Sequence, residues 1–235
     1  MSLAGPEILS PVLPALPPLF DVIGTAVFAL TGALVATQLR QTIVTVSFFA
    51  LLTGVGGGTL RDLLIGAPPF WLHNPGIAFA VIGVSLLTWF TPHRWWEGRA
   101  LEWADAAGLA VFSVLGTAKA LDYGVHPMSA MILGIISGCV GGIIRDVIAG
   151  VPSILMRPEL YVTAAALSAT TAAVGMWVEG PRNLVLLIAI LAGFILRITA
   201  IVWRIELPEY GRNDSRNGIE SSRRNANTKK APPDE

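Results

Sequence analysis

The stretch GVGGGTLRDLLIG at residues 54–66 returns as GCVGGIIRDVIAG at residues 138–150, 84 positions later. The match extends outward from both ends of this motif. Asp21 meets Asp105, Gly24 meets Gly108, Ala26-Val27-Phe28 meets Ala110-Val111-Phe112, Gly32 meets Gly116, Ala36 meets Ala120, and Pro68 meets Pro152. Fourteen of the 48 positions from Asp21 to Pro68 are identical to their counterparts, with no gap. Chance similarity between apolar segments yields scattered Leu and Ala matches. These matches concentrate on Gly, Asp, Arg and Pro, so the chain contains an internal duplication.

The duplicated sequence is too poor in charge to be a water-soluble surface. Charged residues make up 14% of the chain, against 53% hydrophobic; soluble domains carry about 25% charged residues. The tail from Arg204 holds seven of the Lys/Arg and six of the Asp/Glu, so the rest is poorer still. A transmembrane helix needs about 20 mostly apolar residues. Seven runs approach that length: Pro17–Leu39, Thr42–Ile65, Pro75–Thr91, Trp103–Leu121, Met128–Ala149, Leu160–Val178 and Asn183–Trp203. The third is the shortest. Turn-forming punctuation separates them, as at Ala67-Pro68-Pro69, His126-Pro127 and Glu179-Gly180-Pro181. The expected fold is an all-α integral membrane protein of seven transmembrane helices. It divides into an N-terminal extension (1–16), a first three-helix repeat (17–91), a second repeat (103–178), a seventh helix (183–203) and a disordered tail (204–235). Three crossings per copy force the second copy to enter from the opposite side. The copies are therefore expected to be inverted repeats, a design that places a polar pathway at their interface.

Basic residues in short loops set the orientation. Arg40, Arg94, Arg99, Arg157 and the tail fall on one side, and Arg182 alone on the other. This predicts an external N-terminus and a cytoplasmic C-terminus. Trp71 and Trp177 then fall at the outer interface, and Trp89, Trp103 and Trp203 at the inner one, as an aromatic belt requires. No basic n-region precedes residue 17, so no cleaved signal peptide is expected. Net charge is zero, which gives no footing for nucleic acid binding. Arg223-Arg224 and Lys229-Lys230 offer a contact to anionic membrane lipids, or simply a solvated tail. The single Cys139 has no disulfide partner. His73, His93 and His126 fall in loops without metal-ligand spacing, and no Gly-Lys-Ser/Thr phosphate loop follows the glycines. Neither a cofactor, a metal nor an enzymatic reaction is expected.

The motif itself admits two readings. Gly56-Gly57-Gly58 lies deep in the second span, where each glycine costs roughly 1 kcal/mol of helix propensity relative to Ala. Irregular backbone at membrane depth is tolerated where protein or a water-filled cavity covers it. The glycines, with Thr59 and the matching Gly138, Gly141 and Gly142, then mark a break whose carbonyls line a pore. Alternatively Gly54 and Gly58, with Gly134, Gly138 and Gly142, repeat at i+4 and let two helices touch.

Charges at bilayer depth cost about 2.5–3.5 kcal/mol on insertion scales, so they face the interior and pair. Topology puts Asp21 and Arg61 at one mouth and Asp105 and Arg145 at the other. Two such pairs are predicted, with neighbouring Asp62 and Asp146 as competing partners. They act as symmetric gates, or they staple helices together. Lys119 meets Val35 in the other copy and so breaks the symmetry. It either snorkels to the interface or projects into the pathway and repels cations. Arg197 is expected to snorkel at the end of the seventh helix.

A duplicated three-helix unit carrying Gly-Gly-Gly-Thr-Leu-Arg-Asp in helix two and Gly-Gly-Ile-Ile-Arg-Asp in helix five resembles the prokaryotic relatives of the trimeric intracellular cation (TRIC) channels. The same bacterial family also carries the label of a glycine transporter domain family. The resemblance covers Pro17 to Trp203. It implies a homotrimer with one pathway per subunit, kinked at Gly56–Gly58 and Gly141–Gly142 and conducting potassium, sodium or other monovalent cations. Animal members have a lysine followed by glutamate in helix four, whereas Ala120 follows Lys119 here, and Val140 stands where the first motif has Gly56. A cation channel, a secondary transporter of a small amino acid such as glycine, and a membrane scaffold are the three functions in contention. The scaffold leaves the intramembrane charges unexplained.

Overall fold

The computed structural model describes residues 18–96, 98–156 and 159–208. Seven helices follow in order: α1 (Pro18–Gln38), α2 (Ile43–Leu64), α3 (Pro75–Phe90), α4 (Ala100–Asp122), α5 (Pro127–Ala149), α6 (Tyr161–Trp177) and α7 (Arg182–Trp203). Single 3-10 turns at His93–Trp95 and Ile154–Met156 lie in the connections before α4 and α6. The expected spans and helices agree to within one to three residues. The expectations for residues 1–16 and for the tail beyond Pro208 lie outside the described residues.

Local chemistry starts and stops the helices. Thr42 caps α2 by accepting the Thr45 N–H, Asn74 caps α3 by accepting the Gly76 N–H, and His126 caps α5 through its ring nitrogen. Proline occupies the first turn of α3 and of α5, where its missing N–H costs nothing. Left-handed residues follow or cap the ends of α1, α4, α5, α6 and α7: Arg40, Gly124, Gly150, Glu179 and Arg204.

Five helices are long and apolar enough to cross a membrane: α1, α2, α4, α5 and α7. The two shorter ones, α3 with 16 residues and α6 with 17, are the third elements of their repeats. Packing follows the duplication. Within the first repeat α1 packs on α2 and α3, and α2 on α3; within the second, α4 packs on α5 and α6, and α5 on α6. The repeats meet through α2 against α5 and α1 against α4, while α7 lies outside on α4 and α6. Much of the periphery is apolar and exposed, including Phe79, Phe90, Leu187 and Ile195. Trp71, Trp89, Trp103, Trp177 and Trp203 are exposed, as side chains of an interfacial belt must be.

Candidate functional site

The contacts between repeats are reciprocal, which defines a pseudo-two-fold axis. Phe28 and Phe112, counterparts in the duplication, face each other with ring centroids 5.2 Å apart. Gly108 leaves room for Phe28, whose ring lies 2.7 Å from where a Cβ would sit, and Gly24 does the same for Phe112 at 3.1 Å. On α2 and α5, a Cβ at Gly57 would collide with the Ser137 carbonyl oxygen, and one at Gly141 would lie 2.8 Å from the Thr53 carbonyl oxygen. Thr53 and Ser137 are themselves counterparts. The glycines thus bring two helix backbones together across the axis.

This corrects the reading of a broken helix. Both α2 and α5 run through their glycines as uninterrupted α-helix, so the carbonyls stay engaged in the helical ladder. The small-residue reading accounts for the remaining glycines too. Gly56 accommodates Ile144, with 2.5 Å from a Cβ to its side chain, and Gly58 accommodates Phe70 at 2.5 Å. Gly138 packs on the Leu109 carbonyl and the Ser113 hydroxyl, and Gly142 on the Tyr161 hydroxyl. Thr59 donates to the Val55 carbonyl and accepts the Trp71 indole N–H at 3.0 Å, tying the α2–α3 loop to α2.

At the end of α5 the expected pair is present. Arg145 reaches Asp105 at 2.6 Å and Asp146 at 2.9 Å, all three buried. At the end of α2 it is not. Arg61 binds its neighbour Asp62 at 2.8 Å, and no ion pair joins it to Asp21. Lys119 takes the place beside Asp62, at 2.9 Å. Asp21 remains within the electrostatic reach of Arg61 and Lys119. The difference follows from Lys119, the residue without a charged counterpart, which supplies a second cation from α4. Lys119 therefore neither snorkels free nor stands unpaired. Arg61 is fully buried, and its Nη1 and Nη2 meet no acceptor among the described residues; the Phe70 ring lies 5.6 Å away beneath the guanidinium.

The second oxygen of each motif aspartate does something the sequence reading missed. Asp62 Oδ2 accepts the Phe70 N–H at 2.8 Å, and Asp146 Oδ2 accepts the Ile154 N–H at 2.8 Å. Phe70 and Ile154 are counterparts, so each Arg-Asp unit fixes the loop that follows its helix. The signal available was the conserved spacing from Asp to Gly-x-Pro in both copies. Arg197 is another correction. It is buried at 1% exposure, bound to Glu159 at 2.6 Å, and stacked 5.2 Å from the centre of the Tyr161 ring. Packing of α7 on α6 covers a residue that helix position alone assigned to the interface.

Beside Asp105, Arg145 and Asp146 a cavity of about 360 Å³ opens, also lined by Gln38, Glu102 and Ile154. Three carboxylates line it with Arg145, and Arg99 stands 3.9 Å from one of them, Glu102. No group of His, Cys, Asp and Glu able to hold a metal ion occurs among the described residues.

The family model described as glycine transporter matches twice, over residues 18–93 and 102–177, one match per repeat. A membrane protein of Vibrio cholerae is 36% identical over 198 residues, 82% of each chain. The inner membrane protein YadS of Escherichia coli K12 is 33% identical over 201 residues, 83% of this chain and 96% of its own. The TRIC channel orthologue of Rhodobacter sphaeroides superposes with a TM-score of 0.73 at 36% identity, covering 80% of this chain and 97% of that one. The chain belongs to this TRIC-type family. A second solved TRIC cation channel, 29% identical, superposes with a TM-score of 0.72 over 83% of this chain and 97% of its own. The TRIC-type fold therefore accounts for the duplicated helices of this chain, and its solved neighbours are channels rather than enzymes.

Proposed function

We propose that this chain conducts monovalent cations, chiefly potassium, along the interface of its two repeats. The acidic cavity beside Asp105 and Asp146 carries the reading: its three carboxylates outnumber the two arginines paired with them, Arg145 and Arg99, and concentrate cations at a low-dielectric mouth. Membership in the TRIC-type family, with channels among its solved structures, supports it. In this reading the touching rings of Phe28 and Phe112 are the gate between this mouth and the Arg61–Asp62–Lys119 cluster, and separating them opens the pathway. Gly57 and Gly141 serve as the close contacts about which α2 and α5 shift. The subunits assemble as trimers in the bacterial inner membrane, with the N-terminus outside and the tail in the cytoplasm, exposed apolar faces meeting lipid and neighbouring subunits.

Reconstitution in liposomes tests this directly. The expected result is potassium flux under an imposed voltage, reduced by Asp105→Asn with Asp146→Asn. Glycine uptake under a gradient without potassium flux would overturn it in favour of the transporter. Cysteine reporters at Gly180 and Asn217, placed after replacement of Cys139, should label from opposite sides of the membrane.

A further inference from the structure

A second cavity, of about 410 Å³, lies between the α1–α2 turn, the end of α3 and the loop that follows it. Thr37, Gln38, Arg40, Trp89, Thr91 and Trp96 are among its lining residues, and no carboxylate is. The described residues give Arg40 and Gln38 no hydrogen-bonding or ionic partner for their side chains. The Trp96 indole nitrogen is buried and likewise unpartnered. An unpaired guanidinium beside an unpaired carboxamide on one cavity is a donor set that binds an oxyanion.

The backbone gives a second, independent indication. Arg40 adopts a left-handed conformation, φ 53°, at the turn after α1. Its counterpart in the other repeat is Gly124, φ 74°, at the turn after α4. Both turns close with the same hydrogen bonds: Arg40 N–H to Thr37 and Gln41 N–H to Ala36 in one, Gly124 N–H to Leu121 and Val125 N–H to Ala120 in the other. Glycine adopts this conformation without penalty, and a residue with a Cβ does not. The first repeat therefore holds an arginine at a position whose backbone favours glycine, with its side chain at the rim of this cavity.

We propose that this cavity binds a phosphate group, presented by the headgroup of an anionic phospholipid. The adjoining surface suits the acyl chains, since Leu86, Trp89 and Phe90 of α3 are exposed apolar side chains leading away from the cavity. Interfacial tryptophan beside a basic residue is the usual setting for such a headgroup. Gln38 lines both this cavity and the acidic one, so a bound phosphate sits next to the candidate ion mouth and offsets the Arg40 charge there.

Native mass spectrometry of the purified full chain tests the site without reference to ion conduction. Phosphatidylglycerol and phosphatidylcholine are titrated as probes, and inorganic phosphate is added as competitor. Phosphatidylglycerol should bind about tenfold more tightly than phosphatidylcholine, as a charge-assisted contact predicts. Arg40→Gly should abolish that preference while leaving thermal stability unchanged or higher, because the turn then matches Gly124. Gln38→Leu should weaken the preference without abolishing it, and Arg94→Gln, an exposed arginine in the same loop and outside the cavity lining, should leave it intact. Resistance to millimolar inorganic phosphate identifies the ligand as lipid; displacement by it identifies the free anion in the same site. Equal binding of the two lipids and no binding of inorganic phosphate to the natural sequence overturns the proposal. So does a preference that survives Arg40→Gly.

Discussion

Replacing Gly57 by alanine separates close packing from backbone flexibility as the reason for the glycine motif. If the glycine is there to weaken the helix, alanine should stabilise α2 by about 1 kcal/mol in helix propensity. If it is there for contact, the new methyl group meets the Ser137 carbonyl oxygen of α5, which is backbone and cannot rotate away. The reciprocal site shows the scale. A Cβ at Gly141 would stand 2.8 Å from the Thr53 carbonyl oxygen, so α2 and α5 must part by roughly half an ångström or more to restore ordinary contact. A gap of about 0.5–1 Å forfeits roughly a quarter to a half of the dispersion energy of each neighbouring atom pair. Overpacking of this kind costs about 1–3 kcal/mol, so the net loss expected is up to about 2 kcal/mol after the propensity gain. Gly83 provides the control: it lies in the interior of α3, and a Cβ there meets nothing within 4 Å. Gly83→Ala should therefore gain stability where Gly57→Ala loses it. Thermal unfolding in detergent, followed by size-exclusion chromatography with fluorescence detection, reads both and reports any change of oligomeric state. Combining Gly57→Ala with Gly141→Ala should cost less than the sum, because the first methyl group already separates the helices the second would strain. A Gly57→Ala protein as stable as Gly83→Ala would refute the packing account.

Three further outcomes follow from the charged ends. A double-mutant cycle of Asp105→Asn with Arg145→Gln should show roughly 1–3 kcal/mol of coupling, and one of Asp21→Asn with Arg61→Gln less than half as much, because only the first pair is in contact. Asp62→Asn should cost roughly 3–5 kcal/mol in unfolding experiments, since it leaves Arg61 and Lys119 facing each other, whereas Lys119→Met should cost about 1 kcal/mol because Asp62 keeps Arg61 and the Phe70 N–H. Arg197→Met should lower stability by about 1–3 kcal/mol and increase proteolytic cutting of the α5–α6 loop, which its bond to Glu159 anchors; an unaffected loop would show that Arg197 does not hold it.

Much of this architecture is written locally. Apolar run length and proline–glycine punctuation are properties of neighbouring residues, so seven helices and their limits follow from the chain read in order. The duplication is also legible, because Asp, Arg, Gly and Pro recur at one fixed spacing, and an odd number of helices per copy implies the two-fold relation that the Phe28–Phe112 contact displays. What tertiary structure alone decided is which partner each of these residues meets. Lys119 displaces the expected Asp21–Arg61 pair because α4 crosses beside the end of α2, a juxtaposition no local pattern encodes. Arg197 is buried because α7, which has no counterpart in the repeat, packs across α6 and brings Glu159 and Tyr161 to it. The glycines carry the same lesson: a run of three reads as weakness along one helix, and becomes contact once a second helix backbone lies against it.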